Sequence, residues 1–107
     1  MTEPELMFRW RQPRRSGLDT YRFLARTPES LRVRAVEALR AFRPDPRVPL
    51  VLQAPRVVPS RTFGHELYWE PVGPESWPVC PERAEELLAI LGLDLIQEAA
   101  ARFRQPT

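Results

Sequence analysis

The 107 residues include no Lys, no Asn, one Cys, one His and only four Gly. Each shortage removes a class of chemistry. A single cysteine excludes an internal disulfide. One His, one Cys and carboxylates without site spacing are too few ligands for a metal centre. The four glycines form no phosphate-cradling loop, and no Gly-x-Ser-x-Gly elbow occurs. The most apolar stretch, Leu87 to Ile96, is interrupted by Gly92 and Asp94 and is far too short to span a bilayer. The N-terminus has no apolar segment of signal-peptide type, so a cytoplasmic location without membrane contact is expected. With these motifs missing, no cofactor and no metal are expected, and an enzyme is the least favoured class.

What the chain has instead is arginine and proline, sixteen and thirteen residues respectively. Stiff loops and few thermolabile residues are a thermophile's habit. GC-rich coding accounts for Arg in place of Lys equally well. The arginines are unevenly placed. Residues 1–62 hold thirteen Arg against six acids, and residues 63–107 hold three against eight. The small net charge of +2 thus hides a basic first part and an acidic second part. Such an asymmetry speaks about partners rather than fold.

Length predicts one domain over residues 1–107, with 43% apolar residues to fill a core. Leu6 to Arg11 alternates, with Leu6, Phe8 and Trp10 on one face and Met7, Arg9 and Arg11 on the other. A turn cluster, Pro13 to Gly17, leads into a second alternating run from Asp19 to Ala25, which predicts a hairpin. Thr27-Pro28-Glu29 is a helix start, and Leu31, Ala35, Ala38, Leu39 and Phe42 form its apolar stripe up to Pro44. Short apolar strands are expected at Val48–Leu52 and Arg61–Glu70, the latter with Phe63, His65, Leu67 and Trp69 on one face. Two further helices are expected, Pro81–Leu91 and one beginning at Asp94, separated by a Gly92 cap. The expected fold is α+β: a small, mostly antiparallel sheet in the order β-β-α-β-β-α-α, with one central helix and a C-terminal helical hairpin packed on it.

The hairpin is the leading candidate surface. Arg9, Trp10, Arg11, Arg14 and Arg15 lie close together, where guanidinium forks pair with phosphates and aromatic rings stack on bases. Arg32, Arg40 and Arg43 extend the set along one side of the first helix. These eight residues predict a non-enzymatic nucleic-acid-binding protein for RNA or DNA. The competing readings are that Phe8 and Trp10 are core and the arginines a solvated face, or that the chain is a protein-interaction or accessory subunit. Its basic first half and acidic second half, with Glu82, Glu85, Glu86 and Glu98 facing the arginines, could pair within the monomer, between two copies as a homodimer, or across an interface with another protein partner. The two terminal helices invite comparison with a helix-turn-helix, but Leu95, Ile96, Gln97 and Glu98 are poor readers of a phosphate-lined groove. A ribonuclease-like set of His65, Glu66, Tyr68 and Arg61 fails on alternation, leaving His65 as a half-buried structural residue. Cys80 reads as an inert thiol.

Overall fold

The computed structural model describes residues 5–14, 17–62 and 64–104. Its elements are β1 (Leu6–Arg14), β2 (Gly17–Ala25), α1 (Pro28–Phe42), β3 (Val51–Ser60), β4 (Gly64–Pro71) and α2 (Pro81–Arg104). The strands form one antiparallel sheet in the spatial order β2-β1-β3-β4. The α+β class and the antiparallel sheet are as the pattern predicts; the helix count is not.

Alternation in β1 decides the layering. Leu6, Phe8, Trp10 and Gln12 are buried on one face, together with Leu50, Leu52 and Ala54 of β3 and the segment leading into it. Both helices pack there, contributing Leu31, Ala35 and Leu39 from α1 and Ala84, Leu88, Leu95 and Ala99 from α2. The Trp10 ring meets Trp77 edge-on at 5.4 Å, and its Nε1 donates to the Ala35 carbonyl at 2.9 Å. Gln12 is the polar exception: its Nε2 donates to the Asp45 and Val48 carbonyls, and its Oε1 accepts from Asp45 N. A buried amide satisfied on both ends fixes the loop after α1 without an unpaired polar atom.

The start of α1 is as expected. Thr27 caps it in a reciprocal box with Ser30, and Pro28 occupies the first turn. Its end is set one residue before the proline, where Arg43 adopts φ 53° and donates its N–H to Leu39 O.

Two expectations about elements are corrected. The strand expected at Val48–Leu52 starts and ends later, because β3 runs through Pro55 and Pro59. Their nitrogens, four residues apart in a strand, point to the same edge. β1 pairs with β3 only from Val51 to Gln53, so beyond that point no ladder bond is lost on that side among the described residues. The expected helical hairpin is one continuous helix of 24 residues, which also removes the helix-turn-helix comparison. Gly92 is not in the left-handed region that a cap requires. It is buried inside α2, where a Cβ would lie 3.1 Å from Pro28 Cβ and 3.4 Å from Pro28 Cα. Glycine here permits close approach of the two helices rather than a chain reversal. Gly92→Val is therefore expected to cost about 1–3 kcal/mol by overpacking. This should appear as a lower denaturation midpoint with an unchanged m value.

Candidate nucleic-acid interface

The face of the sheet away from the helices carries the other parity of every strand. On β1 it presents Met7, Arg9 and Arg11; on β2, Thr20, Arg22 and Leu24; on β3, Gln53, Pro55 and Val57; on β4, His65, Leu67 and Trp69. No described helix covers this face.

Register assembles the charges. Arg9 stands directly opposite Arg22 of β2 and opposite Gln53 of β3. Its Nε donates to Gln53 Oε1 at 2.7 Å. The Arg9 guanidinium carbon lies 4.2 Å from the centre of the Trp69 ring, and that of Arg22 lies 5.5 Å from it. An aromatic face attracts a cation in this geometry, so one indole braces two guanidiniums. Arg11 is two residues along β1, half-buried, and its Nε has no hydrogen-bond partner. Among the described residues, none of Arg9, Arg11 and Arg22 meets a carboxylate. Partial burial, reinforced by the positive charges of Arg11 and Arg22, holds the Arg9 guanidinium below its ordinary range. The arrangement gathers three cations with no carboxylate against them among the described residues.

The other arginines expected to take part are placed differently. Trp10 is fully buried in the core, so it presents no ring to a ligand; of the two roles open to it, core and contact, the core one is correct. Arg32 pairs with Glu85 at 2.9 Å and Arg40 with Glu82 at 3.4 Å, both across the α1–α2 contact in the opposite layer. Helical spacing aligned them with one another but not with the sheet face. Arg43 is exposed at the C-cap of α1. Arg14 closes β1 with its side chain outside the described set, and Arg15 lies outside the described residues.

Several acids counted as interaction groups are occupied within the chain. Besides Glu82 and Glu85, Glu98 meets Arg102 at 2.7 Å; Glu70, outside that set, meets Arg56 at 3.2 Å. Two of these pairs, Arg32–Glu85 and Arg40–Glu82, join the basic and acidic halves across the helix layer, whereas Arg9, Arg11 and Arg22 on the sheet face have no such pair among the described residues.

Sequence reasoning missed Arg22 and Trp69. Arg22 was legible, since the alternation of β2 sets it opposite Tyr21 and Phe23. Trp69 was not, because alternation in β4 suggested an apolar inward face. The structure reverses that face. Ala54, on the helix side, pairs with Glu70, so Glu66, Tyr68 and Glu70 share the helix side and Leu67 and Trp69 face out. β4 is an edge strand that α2 reaches through Arg102, 3.7 Å from Glu70, so it has no apolar layer to face. His65 is accordingly exposed rather than half-buried, and Tyr68 Oη donates to Glu66 at 2.8 Å on the side away from it. Exposed Cys80 donates its thiol to Glu82 Oε2 at 3.0 Å.

The fold and this surface define an open-faced α+β protein with a cationic cluster on its bare sheet. No protein-family model, curated protein or solved structure matches the chain. Among the described residues, no helix is long and apolar enough to cross a membrane.

Proposed function

We propose that the chain binds nucleic acid on its open sheet face, with Arg9, Arg11 and Arg22 as the phosphate contacts and Trp69 as the brace that holds two of them. The observation that carries this reading is the cluster of three guanidiniums without a carboxylate among the described residues. Arg forks pair with phosphate oxygens, and neutralising phosphates releases counterions, which favours binding. A broad sheet face does not enter a duplex groove as a helix does. It suits a single strand, whose phosphates and bases are both accessible. Contact through Arg32 and Arg40 is not part of this reading, because their charges are already met by Glu85 and Glu82. The same pairs weigh against an accessory subunit docked through those acids.

The test is titration of a fluorescent single-stranded oligonucleotide at two salt concentrations. Three neutralised phosphates give a slope of about −2 in log K against log salt, a fall of about 20-fold between 50 and 200 mM. Absence of binding at 50 mM would remove the proposal.

A further inference from the structure

The sheet has two edges, β2 and β4. An edge strand presents unpaired N–H and C=O groups, which proteins commonly guard with prolines, bulges, charges or short length. β4 carries Glu66 and Glu70 and ends at Pro71. β2 is less guarded. It is nine residues long, contains no proline, and pairs one-to-one with β1 from Gly17 to Ala25 without a bulge. Its charges, Asp19 and Arg22, fall on opposite faces, so neither sign accumulates along it.

Beside this edge runs α1, and between them lies a groove of 350 Å³ whose lining includes Tyr21, Phe23, Leu24, Arg34 and Glu37. Tyr21 and Leu24 are each 40% exposed, and Val33 on the same helix is 45% exposed. Arg34 and Glu37 are both exposed, and neither has an ion-pair partner among the described residues. The groove therefore offers a backbone ladder, apolar area, and one free charge of each sign about one helical turn apart.

We propose that a second copy of this chain docks here, β2 against β2 about a two-fold axis, joining two four-stranded sheets into one of eight strands. Identical strands related by such an axis run antiparallel, the pairing that this sheet already uses. The same axis reverses the order of charges on the facing α1 helices. Arg34 of one copy then meets Glu37 of the other, and the reciprocal pair forms at the same time. A ligand carrying one sign of charge would attract one of these residues and repel the other, whereas a second copy satisfies both. The groove adjoins the open sheet face along β2, where Arg22 and Leu24 belong to both, and the proposal stands whether or not nucleic acid binds on that face.

Mass measured by sedimentation equilibrium across a concentration series tests it. The expected result is a rise from the chain mass to twice that value. Glu37→Arg and Arg34→Glu should each raise the half-dimerisation concentration roughly tenfold or more, because like charges then face each other. Both changes in one chain should restore the dimer, and mixing the two single variants should yield a heterodimer. The proposal is overturned if the wild-type chain remains monomeric up to about 1 mM. It is equally overturned if a dimer forms but neither reversal weakens it, or if mixing the two variants restores nothing.

Discussion

Replacing Arg9, Arg11 and Arg22 together with Gln is expected to lower affinity for a single-stranded oligonucleotide on the order of 100-fold at low salt, taking about 1 kcal/mol per contact. The salt dependence should fall with it, by roughly one phosphate per arginine removed. Folding should survive. The three side chains lie on the bare face of the sheet, and among the described residues they make one side-chain hydrogen bond, to Gln53, and two cation–ring interactions with Trp69. An exposed cation–ring interaction is worth about 0.5–1 kcal/mol, and relief of repulsion among three like charges offsets part of that. The matched control is Arg32→Gln with Arg40→Gln, which removes two positive charges instead of three. Those arginines face Glu85 and Glu82, so binding should stay within about twofold and stability within about 1 kcal/mol per pair. An equal loss of binding free energy per charge removed in both variants would mean that only net charge matters, and the sheet face would lose its claim as a site.

Trp10→Ala is expected to destabilise the fold by about 3–5 kcal/mol, the range for truncating a large buried aromatic. Trp10 is fully buried, packs against Phe23 and Trp77, and spends its only side-chain donor on Ala35 O. Domains of this size hold about 5–15 kcal/mol in all, so the variant would sit near the edge of folding. Trp10→Phe keeps a ring and should cost less, about 1–3 kcal/mol for the void and the missing hydrogen bond. Urea denaturation followed by circular dichroism measures both. A destabilisation below about 1 kcal/mol for Trp10→Ala would contradict its place at the centre of the core. Nucleic-acid affinity, measured on the folded fraction of Trp10→Phe, should be unchanged, since this ring is sealed beneath the sheet. The same substitution therefore separates core from contact surface within one strand, where Arg9 and Arg11 flank Trp10 and point the other way.

Much of this was present in the chain itself. Alternation in β1 and β2 placed Leu6, Phe8 and Trp10 opposite Arg9 and Arg11, because a strand sends successive side chains to opposite faces whatever else surrounds it. Thr27, Pro28 and Ser30 set the start of α1 through local hydrogen bonds and a fixed φ, and the stripe from Leu31 to Leu39 follows from helical period alone. These are short-range rules, and residues a few positions apart satisfy them. Other features were decided only when distant segments met. Gly92 has the composition of a stop, yet the proximity of Pro28, 64 residues away in sequence, makes it a packing residue inside one long helix. Pro55 and Pro59 look like strand breakers until the edge they face is found to have no ladder partner among the described residues. Trp69 reaches Arg9 and Arg22 because β3 separates β1 from β4 by a single strand, an order that no local pattern encodes. Most of all, charge pairing is a tertiary property. Sixteen arginines were visible at once, but only the packing of α1 against α2 assigned Arg32 and Arg40 to glutamates, while Arg9, Arg11 and Arg22 gather without one among the described residues.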